Sequence, residues 1–212
     1  LEHNYTCEAN DEENTLHVTC DKGCEYDEIL KMEAPTELVY NGNSKPAILS
    51  GEIVNMPVIE YNTVDGQAPV EAGTYTATIK YEDKSVSIEY TIAQAKPVIT
   101  ITSPTPAIIP GTSMVLKVDI KHPEVEGLED LPTNFVINYK IGTAVEVYEI
   151  TGLRLTIPSD VALGQSIYVY VENEAVSGKY GVGQSNVLTL YIGQIDYSGD
   201  INAVAKALEQ AK

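Results

Sequence analysis

The stretch Val70-Glu71-Ala72-Gly73-Thr74-Tyr75-Thr76-Ala77-Thr78-Ile79-Lys80-Tyr81 decides the fold class. After a Gly turn, Tyr75, Ala77, Ile79 and Tyr81 fall on one side of an extended chain, and Thr74, Thr76, Thr78 and Lys80 on the other. That alternation of period two is the signature of a half-buried antiparallel strand. Beyond it, Glu82-Asp83-Lys84 makes a turn, and Val86, Ile88, Tyr90 and Ile92 alternate on the way back. Residues 74–92 are therefore expected to form a β-hairpin with its apolar faces in register.

The same rhythm extends in both directions. Upstream, Asn4–Ala9, Thr15–Thr19 and Glu25–Met32 read as short strands separated by turn-like Asn10–Asn14 and Cys20–Cys24. Glu37–Tyr40, Ala47–Val54 and Val58–Tyr61 are further strand candidates. Downstream of Lys96-Pro97, a Pro- and Ser/Thr-rich run at Thr100–Pro110 leads to alternating Met114, Leu116, Val118 and Ile120. Phe135–Ile141, Ile167–Val171 and Asn186–Ile192 follow, with shorter candidates at Val145–Ile150 and Leu153–Ile157. Such a set matches a Greek-key β-sandwich. The Cys-Trp-Cys core of antibody domains is missing, so a generic Ig-like sandwich built from aliphatics and tyrosine is expected. Near the C-terminus Asp200 can cap a short helix, Asp200–Lys212, with Ile201, Val204, Ala205 and Leu208 on one face.

The expected class is all-β: tandem Ig-like sandwich modules, a small N-terminal β unit and a short terminal helix. The boundaries that follow are 1–33 for a small Cys-containing unit, 34–95 for a first module, 96–195 for a second, and 196–212 for a linker and helix. The first unit is too small to stand alone and is expected to lean on a disulfide, on its neighbours, or on both.

Composition narrows the functions. The chain has 212 residues, 14 Tyr, one Phe and no Trp, so tyrosine supplies nearly all the aromatic packing, and each buried ring needs a partner for its hydroxyl. The net charge is −18, and residues 1–33 hold ten acidic against two basic side chains. With no cluster of Lys and Arg, a nucleic-acid partner and an anionic membrane surface are both disfavoured. No stretch is apolar enough to span a bilayer. The chain starts at Leu1, and is read as a mature or excised piece whose export signal and anchor would lie outside it. A monomer is expected, and no cofactor.

Residues 34–95 carry a family resemblance. Ala34-Pro35-Thr36-Glu37-Leu38-Val39-Tyr40-Asn41-Gly42, Val70-Glu71-Ala72-Gly73-Thr74-Tyr75 and Tyr90-Thr91-Ile92-Ala93-Gln94-Ala95 resemble the bacterial Ig-like surface repeats of MBG type, found in long exported proteins of Gram-positive gut bacteria. His3 and Cys20-Asp21-Lys22-Gly23-Cys24 are similar to the small Cys-containing piece that often precedes such repeats; Cys7 falls outside that pattern. Residues 97–193 share only strand rhythm and turns. The resemblance implies a secreted or cell-surface location, an oxidising setting, and a spacer or adhesive role with no catalytic residues.

In that setting Cys7, Cys20 and Cys24 have several fates. A Cys20–Cys24 disulfide ranks first, leaving Cys7 unpaired; Cys7–Cys20 or Cys7–Cys24 are alternatives. A zinc site of His3, Cys7, Cys20 and Cys24 has the right ligand number and softness but an awkward spacing. Cysteine catalysis would need a basic neighbour, whereas His3 and His17 sit among acidic residues.

Other patterns are weaker. Asp196–Asn202 resembles a calcium loop, but Ile201 stands where Gly is required and Ala207 where the bidentate Glu belongs. Glu12-Glu13, Asp27-Glu28 and Glu129-Asp130 are adjacent pairs, which on a strand point to opposite faces and so do not form a glycosidase pair. Tyr168 and Tyr170 lie opposite Ile167, Val169 and Val171, and with Tyr180 or Tyr191 could form an aromatic platform for a sugar. The leading expectation is a non-catalytic spacer or adhesion scaffold of an exported surface protein, with a host glycan or surface protein as partner. The alternatives are a carbohydrate-binding module for host glycan or mucin, and an accessory domain of a surface hydrolase.

Overall fold

The structure, a computed structural model, describes residues 3–194 and is all-β among them. The expected helix at Asp200–Lys212 and the Asp196–Asn202 loop lie outside the described residues. The chain divides between Ala95 and Lys96 into two compact units.

In the first unit, β1 (Tyr5–Asn10), β2 (Thr15–Cys20), β3 (Asp27–Glu33) and β4 (Ile48–Ser50) form one antiparallel sheet in that order. A second sheet holds β5 (Glu60–Tyr61), β6 (Gly73–Tyr81) and β7 (Lys84–Ile92). The β6–β7 hairpin has the register its alternation demands, with Tyr75 opposite Tyr90, Ala77 opposite Ile88 and Ile79 opposite Val86. Its turn is tight, and Glu82 adopts φ of 52° there. On the outer face Thr74 meets Thr91 and Thr78 meets Ser87, hydroxyl to hydroxyl at 2.9 and 2.8 Å.

The inner face is apolar. Cys7, Leu16, Val18, Leu30 and Met32 of the first sheet bury against Ala77, Ile79, Tyr81, Val86, Ile88, Tyr90 and Ile92 of the second. Burying a single aliphatic side chain of this size contributes about 1.5–3 kcal/mol, so the two sheets depend on each other. Residues 1–33, expected as a small unit of their own, thus supply three of the four strands of one sheet: Lys31 pairs with Ser50 and Glu33 with Ile48, and the core is shared. The physical reason is that 34–95 contributes only the three residues of β4 to that sheet.

In the first unit, three expected strands shrink or vanish. Ala47–Val54 is reduced to β4 because Gly51 turns the chain with φ of 100°. Val58–Tyr61 keeps only β5. Glu37–Tyr40 is no strand but makes a parallel bridge between Val39 and Ala93, with the Tyr40 and Ala93 amides donating to the Ala93 and Leu38 carbonyls.

In the second unit, β8 (Val98–Thr102) pairs with β11 (Lys117–Lys121), and β10 (Ser113–Val115) with β14 (Arg154–Thr156). The larger sheet runs β13 (Tyr148–Ile150), β12 (Phe135–Ile141), β15 (Ser166–Asn173), β16 (Leu188–Ile192) and β9 (Ala107–Ile108), with β9 parallel to β16 and the others antiparallel. The alternating run at 114–120 is split at Leu116, whose amide donates to Leu153, so its two halves serve different partners. Two strands inside or beside the Pro-rich lead, β8 and β9, were not expected; prolines 104, 106 and 110 keep them short. Ile99, Ile101, Met114, Leu116 and Leu155 meet Ile137, Tyr139, Ile167, Val169, Val171, Leu190 and Ile192 in one core.

Three tyrosine hydroxyls of the first unit have hydrogen-bond partners, as burial favours. Tyr90 donates to the Lys45 carbonyl at 2.7 Å and Tyr75 to the Glu71 carbonyl at 3.0 Å, while Tyr61 accepts from the Ala47 amide at 2.9 Å.

Candidate functional site

Two places gather the residues singled out by sequence. The first is the end of the β1–β2 pair. There Tyr5 lies opposite Cys20, so the chain just before Tyr5 passes the turn that follows Cys20. The Asp21 amide donates to the Asn4 carbonyl at 3.1 Å, and the Cys20 amide to Tyr26 at 3.0 Å, clamping the turn on both sides. Cys20 and Cys24 are joined by a disulfide across this turn, with Cα atoms 5.8 Å apart. Gly23 takes a φ of 75°, a conformation that glycine adopts at no steric cost.

His3 reaches the same spot. Its ring stacks on Tyr5 at 6.1 Å, Tyr5 meets Tyr26 edge-on at 5.2 Å, and His3 Nδ1 lies 3.9 Å from Cys20 Sγ. Cys7 does not join them. It sits opposite Val18, buried in the core as the free thiol, and burial first, then the Glu82 carboxylate, push its pKa up. Of the four residues weighed for zinc, three converge and Cys7 does not: it shares a sheet face with Cys20 but lies two residues further along the strands, opposite Val18 in the core, whereas Cys20 ends β2 opposite Tyr5.

The second place is the outer face of the large sheet in the second unit. Tyr168 and Tyr170 are half-buried there, since their neighbours Ile167, Val169 and Val171 take the core side. Across the strands, Tyr168 lies between Lys140 and Thr189, Tyr170 beside Asn138, and Tyr191 beside Ser166. The Lys140 ammonium sits 5.5 Å from the centre of the Tyr168 ring, a cation–π contact absent from the sequence reading. Tyr191 is 46% exposed and lies over Gly193, where a Cβ would collide with the ring. Tyr180 is fully buried, packed edge-on against His122 at 5.9 Å, and takes no part in this face.

A groove of about 650 Å³ opens between β9 and β10, lined by Ala107, Ile108, Thr112, Met114, Val115 and Gly193 among others. None of its described lining residues carries a titratable side chain. The acidic pairs Glu12-Glu13, Asp27-Glu28 and Glu129-Asp130 are all exposed. Asp27 lies within hydrogen-bond distance of His17 at 2.6 Å, and Asp130 pairs with Lys179 at 2.8 Å, both on the exposed surface. No described helix is long and apolar enough to cross a membrane. No protein-family model matches the chain, and no curated protein matches it in sequence.

Proposed function

We propose that the chain is a non-catalytic part of an exported cell-surface protein, a tandem of Ig-like β modules that acts as a spacer or adhesion scaffold. The observation that carries this reading is the pair of units meeting at Ala95 and Lys96, each with its own apolar core. The strand order β13-β12-β15-β16-β9, opposite the pairs β8–β11 and β10–β14, supports an Ig-like topology for the second unit. In both units the last strand is edged by a parallel segment, Val39 on Ala93 and β9 on β16. The disulfide suits an oxidising compartment, and the net charge of −18 suits a solvated exterior. An antibody against the chain should label intact producing cells or their medium. Labelling only after lysis overturns the proposal.

A second reading, a carbohydrate-binding module, is favoured by Tyr168, Tyr170 and Tyr191 on one sheet face with Lys140 and Asn138 beside them. Aromatic faces stack on sugar rings while adjacent amide and ammonium groups take hydroxyls. A glycan-array screen on the intact chain separates the two. Binding that disappears in Tyr168→Ala and Tyr191→Ala selects the module, and a blank array at high protein concentration leaves the scaffold.

A further inference from the structure

We infer that the Cys20–Cys24 turn is a redox-gated zinc site: opened by a dithiol reductant, it holds one Zn²⁺ through Cys20 Sγ, Cys24 Sγ and His3 Nδ1. The three donor atoms already lie within 4.8 Å of one another. A tetrahedral zinc with Zn–S of about 2.3 Å and Zn–N of about 2.0 Å keeps its donors roughly 3.5–3.8 Å apart. His3 Nδ1 stands 3.9 Å from Cys20 Sγ, so that edge of the tetrahedron is built before any metal arrives. What must change is the separation of the two sulfurs, which the disulfide holds too close for both to bind one ion.

The surroundings permit that change and little else. Gly23 has no atom within 4 Å of where a side chain would start, so the turn has room to widen. The Asp21–Asn4 and Cys20–Tyr26 backbone bonds and the His3–Tyr5–Tyr26 ring series fix the flanks without using a sulfur. His3 is exposed and both cysteines are half-exposed, so reductant and metal reach them from solvent. Two thiolates and an imidazole form a soft donor set that suits zinc, with water completing the fourth position.

The chemistry balances. The dithiol gives two electrons and two protons, the Sγ–Sγ bond breaks, two thiols form, and the reductant closes to its own disulfide. Zinc then displaces both thiol protons, which pass to solvent. In reverse, a disulfide oxidant such as the oxidised form of that dithiol takes two electrons and two protons to become the dithiol, the Sγ–Sγ bond re-forms, and the ion is released.

The test uses the intact chain, oxidised or reduced with dithiothreitol and desalted without oxygen, titrated with Zn²⁺ against a chromophoric chelator. We expect one zinc per reduced chain and none on the oxidised chain. His3→Ala should weaken binding about tenfold or more, Cys7→Ala should leave it unchanged, and the Cys20→Ser/Cys24→Ser double variant should abolish it. A reduced chain that stays zinc-free, equal binding by the oxidised chain, an unaltered affinity in His3→Ala, or loss of binding in Cys7→Ala overturns the site. Circular dichroism accompanies each titration. A reduced chain that loses structure and regains it with one equivalent of zinc supports the site, and one that zinc does not restore overturns it.

Discussion

Tyr75 and Tyr90 face each other across the β6–β7 hairpin with ring centroids 6.4 Å apart, and only Tyr90 turns its hydroxyl inward, to the carbonyl of Lys45. The hairpin is thereby tied to a loop 45 residues earlier in the chain. Tyr90→Phe keeps the ring and deletes the donor, leaving the Lys45 carbonyl without that partner. The expected loss is about 1–2 kcal/mol of unfolding free energy, read as a lower urea midpoint with an unchanged m-value.

The same tyrosine makes the first unit sensitive to alkali. Burial, reinforced by Tyr61 and Tyr75, pushes the Tyr90 phenol up to about 12. An unfolded tyrosine loses its proton near pH 10, so above that pH the unfolded chain sheds a proton that the folded chain retains. The stabilisation is full below pH 10 and drains away as pH climbs towards 12, on the order of 2 kcal/mol from this residue. Urea midpoints at pH 8, 10 and 11.5 should fall progressively. In Tyr90→Phe the fall should be shallower; an equally steep one would assign the effect to other groups.

The hairpin was legible because strict alternation leaves an extended chain only one way to bury Ala77, Ile79, Val86 and Ile88 together. The strands β12 and β15 were legible for the same reason, and β16 as a near-continuous apolar run. Alternation is silent about partners, however. It could not say that Lys31 would pair with Ser50 and merge residues 1–33 into the first unit, nor that Leu116 would divide one run between two sheets. The strands β8 and β9 were hidden by the prolines around them. At the candidate sites, the Cys20–Cys24 bridge ranked first in the oxidising setting that the family resemblance implies, whereas the approach of His3 depends on a series of rings from two separate segments, His3 and Tyr5 on one and Tyr26 on the other. Lys140 over Tyr168 depends likewise on cross-strand register.

Gly51 is the hinge that ends β4. It adopts φ of 100°, and a Cβ there would overlap the Ile29 carbonyl oxygen of the neighbouring strand. Gly51→Ala therefore meets both a disfavoured backbone and a collision with main chain, which cannot rotate away. We expect a loss of about 3 kcal/mol or more, measured by chemical denaturation. Gly66→Ala is the control, because Gly66 has φ of 71° but open space around it; its cost should be confined to about 1 kcal/mol of backbone strain.

Met32 tests whether residues 1–33 belong to the first unit in energy as well as in geometry. It lies on β3, opposite Leu49 of β4, and is fully buried. Its side chain belongs to the same core as Ile79 and Ile92 of the hairpin. Were residues 1–33 an independent appendage, Met32→Ala would loosen only that segment and the hairpin would unfold where it did before. Because one core serves both sheets, the cavity left by the lost side chain should cost the whole unit about 2–5 kcal/mol. Hydrogen exchange at the amides of β6 and β7 gives the readout, since their slowest protons exchange through global opening of the unit. Those protons should accelerate in step with the drop in urea midpoint. Unchanged exchange in β6 and β7, with acceleration confined to β1–β3, would separate the two segments energetically despite their shared core.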